Sequence, residues 1–148
     1  MTIFITSDHA GFKLKNILGA YLADHGYMVI DRGPEIYDSG DDYPDFAFQV
    51  AEDVARDPHS ARGIVIGGSG QGEAMAANRV KGIRAAVYYG GKKDIIRLSR
   101  EHNDANILSF GARFVDEDEA KQAAVLWLET QFSGDARHVR RIRKLDSR

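Results

Sequence analysis

The run Gly63-Ile-Val-Ile-Gly-Gly-Ser-Gly-Gln-Gly-Glu-Ala-Met-Ala-Ala-Asn-Arg79, continued by Gly82-Ile-Arg-Ala-Ala-Val-Tyr-Tyr89, decides the fold. Ile64, Val65 and Ile66 form a short β-branched run, the mark of a strand buried on both faces. Gly67, Gly68, Gly70 and Gly72 follow within six positions, and an alanine-rich helix is expected from Glu73 to Arg79, stopped near Gly82. A strand that ends in a glycine loop and opens a helix presents free backbone N–H groups to an anion. Glycines also let the backbone turn sharply and approach a ligand closely. Glu73 stands in the first turn of that helix, where the helix dipole alone favours an acid. Beside a loop built for close approach, it reads as a base.

Two nucleotide-binding motifs fail on this loop. A P-loop needs Lys and then Ser or Thr after its last glycine, but Gly72 is followed by Glu73 and Ala74. The dinucleotide fingerprint needs a third glycine where Glu73 stands. It also needs an acid closing the next strand, which here closes with Tyr88, Tyr89 and Gly90.

Outward from the central unit, strands and helices alternate. Ile3 to Thr6 reads as a first strand ending in Ser7-Asp8-His9-Ala10-Gly11, before a helix with Phe12, Leu14, Ile17, Leu18, Tyr21 and Leu22 at helical spacing. Met28 to Ile30 is a second strand. Asp31 to Asp45 holds two prolines, two glycines and five aspartates, so it reads as a long loop leading through Asp42-Tyr43-Pro44 into a helix from about Asp45 to Arg56. After the central unit come a strand from Ile83 to Tyr88, a helix from Lys92 to Arg100, a fifth strand from Ile107 to Phe110 and an amphipathic helix from Asp116 to Thr130. Ser133-Gly134-Asp135 separates that helix from a basic terminal helix beginning at about residue 134. The alternation predicts an α/β fold, a three-layer doubly wound, Rossmann-like sandwich around a five-stranded parallel sheet.

Composition bounds the function. A chain of 148 residues, 43% of them apolar, suits one domain with one good core, spanning 1–148. No membrane-spanning run and no signal peptide are expected, since Met1-Thr2-Ile3-Phe4 enters a strand pattern directly. The absence of cysteine excludes disulfides, thiolate catalysis and cysteine metal sites, and fits the cytoplasm. The net charge of −2 divides into +4 over residues 134–148 (six Lys/Arg, two Asp/Glu) and −6 over the rest (14 against 20). A basic tail on an acidic body favours a local anionic ligand over nucleic acid.

The polar residues collected as a candidate site are Asp8, His9, Ser69, Glu73, His102, Asn103 and Arg113, all placed at strand ends, with Arg137 and Arg141 on one face of the terminal helix. They supply a carboxylate base, two histidines, amide donors and three arginines whose forks suit phosphate oxygens. No metal-ligand spacing is present. Each residue also has a plainer reading: Ser69 as a helix cap, His9 and His102 as loop histidines, Arg113 as a surface ion pair. The set suits proton transfer on a small phosphorylated compound.

Ser7-Asp8-His9-Ala10-Gly11-Phe12, Asp42-Tyr43-Pro44, Gly67-Gly68-Ser69-Gly70-Gln71-Gly72, Ala76-Ala77-Asn78-Arg79, His102-Asn103-Asp104-Ala105-Asn106 and Gly111-Ala112-Arg113 together resemble the ribose-5-phosphate isomerase B family. That family includes allose- and galactose-phosphate isomerases, and the resemblance runs from Ile3 to about Arg141. It implies a cofactor-free, metal-free interconversion of an aldose and a ketose phosphate through an enediolate, with ribose 5-phosphate and ribulose 5-phosphate as the leading pair. Asp8 and His102 would open the sugar ring, while His9, Arg113, Arg137 and Arg141 would hold the phosphate. Gly68, Gly70, Gln71, Gly72 and Asn103 would hold the sugar oxygens, Ser69 would help stabilise the oxyanion, and Tyr43 would line the site or serve only as a loop anchor. Many members carry a catalytic cysteine where this chain has Gly67, so the chain resembles the branch with a glutamate, here Glu73. Burial and the helix dipole pull on the Glu73 carboxyl in opposite directions. The resemblance also implies a homodimer or tetramer with shared sites, and the His102-Asn103 loop with Arg113 is assigned opposite Glu73 of the other chain. The alternatives are a hexose-phosphate isomerase of the same family and a non-catalytic phosphate- or nucleotide-binding domain.

Overall fold

The computed structural model describes residues 1–147. Five strands, β1 (Thr2–Ser7), β2 (Met28–Asp31), β3 (Ala61–Gly67), β4 (Ala85–Tyr88) and β5 (Ile107–Gly111), form one parallel sheet in the order β2-β1-β3-β5-β4. The helices are α1 (Phe12–Asp24), α2 (Tyr43–Arg56), α3 (Gln71–Ala77), α4 (Asp94–Glu101), α5 (Glu117–Glu129) and α6 (Ala136–Asp146).

β3 is the middle strand, and its apolar run is explained by what covers its two faces. Ile64 and Ile66 pack with Leu14, Leu18 and Leu22 of α1 and Trp127 of α5. Val65 points the other way, into a cluster with Val50 and Val54 of α2 and Ala77 of α3. Successive strand residues face opposite sides, so a strand covered on both sides must be apolar throughout. The expected three layers and five parallel strands are present.

Element ends differ from the sequence reading by about two residues, with identifiable causes. α2 begins at Tyr43 rather than Asp45, because Pro44 sits in its first turn, where a missing N–H costs nothing. β4 begins at Ala85 rather than Ile83, since two asparagine side chains hold the approach to it. Asn106 Oδ1 accepts from the Arg84 N–H (2.8 Å) and its Nδ2 donates to the Gly82 carbonyl (2.8 Å). Asn78 bonds both backbone groups of Ala85, at 2.8 and 3.0 Å.

The chain leaves β1 for β2 on one side and leaves β3 for β4 on the other. The carboxyl ends of β1 and β3 therefore flank the point where the winding reverses, the crevice in which open α/β sheets bind ligands. α6 lies at the other end of the sheet, tied there by an ion pair from Arg84 to Asp146 (3.3 Å) and by His138 stacked on His102, ring centroids 4.3 Å apart. Among the described residues, no helix is long and apolar enough to cross a membrane.

Candidate active site

The crevice holds a cavity of about 360 Å³ lined by Asp8, His9, Ala10, Tyr43, Gly68, Ser69, Gly72, Glu73, Arg113 and Phe114. Three larger clefts, of about 600, 620 and 430 Å³, lie beside α1, at the amino ends of β4 and β5, and along α6, but none contains the carboxylate–histidine–arginine set.

β1 delivers Asp8 and His9. Asp8 Oδ1 accepts from the N–H groups of Ala10 (2.9 Å) and Gly11 (3.1 Å), capping the short 3-10 turn His9–Gly11 and leaving Oδ2 for the cavity. His9 Nδ1 is 2.7 Å from Asp41 Oδ1, and that hydrogen bond raises the His9 pKa above its ordinary value. Burial and the Arg113 charge oppose the rise without cancelling it.

β3 delivers the glycine loop. Gly70 has φ +75°, a left-handed conformation that side chains disfavour, and its carbonyl accepts from Ser109 Oγ at 2.6 Å. Glu73, the third residue of α3, turns back beneath this loop and is 5% exposed. Its carboxylate fills the space that a side chain on Gly67 would need: a Cβ there would lie 1.6 Å from Oε1. Burial raises the Glu73 pKa, the hydrogen bond from its own backbone N–H opposes that without cancelling it, and the neighbouring charge of Asp8 adds to the rise. Ser69 is exposed at the cavity, its Oγ accepting from the Gln71 N–H at 3.3 Å. Gly72 is required by Tyr43, whose ring leaves only 2.7 Å for a Cβ at that position.

β5 delivers Arg113. The N–H groups of Ala112 and Arg113 donate to the Gly67 and Gly68 carbonyls, at 2.8 and 3.1 Å, lashing this segment to the glycine loop. The Arg113 guanidinium thus lies over Gly68, in the same cavity as Glu73 of its own chain. This corrects the expectation that Arg113 stands with His102 on the opposite side of a shared site.

The other expected residues lie elsewhere. Gln71 is exposed on the far side of α3 with Met75 and Arg79, away from the cavity. His102 and Asn103 do not follow a strand; they close α4 and precede β5, while Arg113 follows it. β5 alone separates the two ends by roughly 17 Å, at about 3.3 Å per residue. Arg137 and Arg141 are exposed on α6 at that same amino end, Arg137 loosely paired with Asp135 at 3.7 Å.

Two lining or supporting residues were not singled out from the sequence. Phe114 carries no motif, and nothing local distinguishes it from a core aromatic. Asp41 was one of five aspartates in a loop, and only the folded loop shows that it faces His9. Asp8, His9 and Asp41 bring metal-capable atoms within 4.8 Å of one another, but His9 Nδ1 is committed to Asp41, so the cluster is a hydrogen-bonded pair beside a helix-capping carboxylate.

A buried carboxylate, a histidine, an arginine and a glycine loop converge at the switch point, the groups that proton transfer on a small anion requires. A family model described as Ribose/Galactose Isomerase matches residues 3–145, and the chain belongs to that family. It is 43% identical over 143 residues to the probable ribose-5-phosphate isomerase B of Mycoplasma genitalium, covering 97% of this chain and 92% of that protein. It is 42% identical to ribose-5-phosphate isomerase B of Mycolicibacterium paratuberculosis, covering 96% and 87%. The crystal structure of the M. genitalium enzyme with bound ribulose-5-phosphate superposes with a TM-score of 0.94 at 42% identity, over 99% of this chain and 94% of that one. Ribose-5-phosphate isomerase B from Clostridium thermocellum gives 0.92 at 46% identity, over 99% and 96%.

Proposed function

We propose that this protein, as a single domain over residues 1–148, interconverts ribose 5-phosphate and ribulose 5-phosphate, with Glu73 as the base. The carrying observation is the Glu73 carboxylate lodged beneath the glycine loop in the space left by the missing Gly67 side chain. That is where the family resemblance places a cysteine in other members, so the chain offers a carboxylate in place of a thiolate. Family membership and the relatives' names support the substrate pair.

The chemistry follows from the geometry. With the sugar ring opened, Glu73 removes the proton on C2 beside the C1 carbonyl, giving an enediolate, and returns it to C1 as the hydroxyl proton on O2 passes to O1. One carboxylate on one face of a planar intermediate performs both transfers. Its raised pKa suits the task, since a weakly basic carboxylate is a poor acceptor from carbon. Ser69 and the loop amides stabilise the oxyanion, each good donor contributing about 3 kcal/mol. Asp8 Oδ2 serves ring opening, and His9 and Arg113 take the phosphate.

The remaining residues come from a second copy. His102, Asn103, Arg137 and Arg141 share the amino end of the sheet, too far from Glu73 to serve it within one chain. A homodimer in which the amino end of one subunit closes the cavity of the other gathers the whole set, and a pair of such dimers would make a tetramer.

A coupled assay on ribose 5-phosphate, allose 6-phosphate and galactose 6-phosphate tests the reading. Turnover of ribose 5-phosphate is expected, and Glu73→Gln should abolish kcat while substrate still binds. A Glu73→Gln enzyme keeping more than about a tenth of kcat, a deficit of only ~1.4 kcal/mol, removes Glu73 as base. Preference for a hexose phosphate moves the protein to the other branch of its family.

A further inference from the structure

We infer that Asp41 is a positioning residue for this reaction: it locks the His9 imidazole so that Nε2 is left to hold the substrate's phosphate. The inference rests on the reading of the cavity as a sugar-phosphate site. One oxygen of Asp41 receives both the backbone N–H of His9 (3.0 Å) and its ring Nδ1 (2.7 Å). Two bonds from one residue to one acceptor fix the ring's position and its orientation together. A carboxylate can only accept, so Nδ1 carries the proton and Nε2 is the nitrogen that faces outward.

Asp41 is held for this purpose by the fold of its loop. Asp38 Oδ1 accepts from the Gly40 N–H (2.9 Å), and the Asp38 carbonyl accepts from the Asp41 N–H (3.2 Å), closing a turn that points Asp41 at His9. The Asp41 side chain is 8% exposed, and its Oδ2 has no hydrogen-bond partner among the described residues. The Tyr37 ring stands edge-on to His9, centroids 6.4 Å apart.

The charged groups facing His9 are Asp8 on its own turn, Asp41 on the loop and Arg113 after β5, with Glu73 across the cavity. The first two favour the imidazolium, Arg113 opposes it, and the Asp41 hydrogen bond is the largest influence. The lock therefore also sets the pH range over which His9 carries a positive charge toward phosphate.

The test follows the His9 ring by NMR across pH in the wild type and in Asp41→Asn, assigned by the resonance missing from His9→Gln. Inhibition by inorganic phosphate is measured on both proteins. In Asp41→Asn the His9 pKa should fall, because the neutral amide favours the imidazolium less than the carboxylate does. Phosphate inhibition should weaken about tenfold at pH 8 and less at pH 5.5, where protonation of the ring is favoured in both proteins. The ionisation of phosphate itself cancels in the ratio. KM for ribose 5-phosphate should rise with it, while kcat changes less, because Glu73 is untouched. A His9 titration that does not move, or phosphate inhibition left unchanged at both pH values, would overturn the inference. If Asp41→Asn fails to fold, the wild-type ring decides: it must titrate above about 6.5 with its proton on Nδ1, and a lower value overturns the claim. Absence of ribose 5-phosphate turnover in the wild type would sink the proposed function while leaving the titration to decide Asp41.

Discussion

At the residue scale, Gly67 and Glu73 are one unit. The loop needs no glycine at 67 for its conformation, since the left-handed glycine is Gly70. Gly67 is needed because the Glu73 carboxylate occupies its side-chain space. Gly67→Ala should therefore keep the fold and displace the Glu73 carboxylate, the proposed base, with kcat falling on the order of 100-fold, the cost of a misplacement of about 1 Å. Circular dichroism and kcat report the two halves of that expectation; unchanged turnover would mean the carboxylate does not work from this position. The raised Glu73 pKa makes a second one. A base fails when protonated, so the acid limb of kcat/KM should fall at a pH above the ordinary glutamate value. A limb near 4.5, the ordinary glutamate value, would contradict it. Motif residues with other jobs also resolve at this scale. Asn78 and Asn106 hold the entry to β4, and Asp104 at φ +46° ties Arg84 (3.1 Å) to Arg100 (2.7 Å).

At the element scale, α6 is a basic helix with one buried polar anchor. His138 is 4% exposed and stacks on His102 at an interplanar angle of 15°. Burial lowers its pKa, and the nearby His102, Arg137 and Arg141 press the same way against the pull of Asp135. A histidine with a folded pKa below its unfolded value takes up protons more readily when unfolded. Its contribution to stability is thus complete above about 6.5 and is lost as pH falls through and below that value. Substituting His138→Phe should flatten the fall of Tm between pH 7 and pH 5 relative to the wild type, since stacking survives and the proton uptake does not. A parallel fall in both proteins would assign the acid sensitivity to another group.

At the scale of the whole molecule, the candidate residues divide between two ends of one sheet. Asp8, His9, Tyr43, Ser69, Glu73 and Arg113 meet at the carboxyl end; His102, Asn103, Arg137 and Arg141 do not. Mixed dimers test the two-chain site directly. Glu73→Gln and His102→Asn, each inactive alone, should recover about a quarter of wild-type activity after co-refolding in equal amounts, since one site of each mixed dimer carries both lesions and the other none. No recovery in demonstrated mixed dimers would place both residues in one chain's site. Arg137→Ala and Arg141→Ala should each weaken inorganic-phosphate inhibition. Unchanged inhibition in both would take α6 out of the site.

The parallel sheet, its three layers and the glycine loop were legible in sequence because they are local or periodic properties. A β-branched run covered on both faces, alternating elements and clustered glycines each leave a signature within some ten residues. The pairing of Glu73 with the empty side of Gly67 was within reach for the same reason, being six residues apart on one strand–loop–helix unit. Only the tertiary structure decided the rest. It put Arg113 on the Glu73 side and His102 at the far end, because that depends on which end of a strand a loop occupies and not on which motif it carries. It raised the Glu73 pKa through burial, against the hydrogen bond from its own backbone N–H, since desolvation is set by what packs above a side chain. It also selected Asp41 from five similar aspartates, because a contact across 32 residues leaves no periodicity to read.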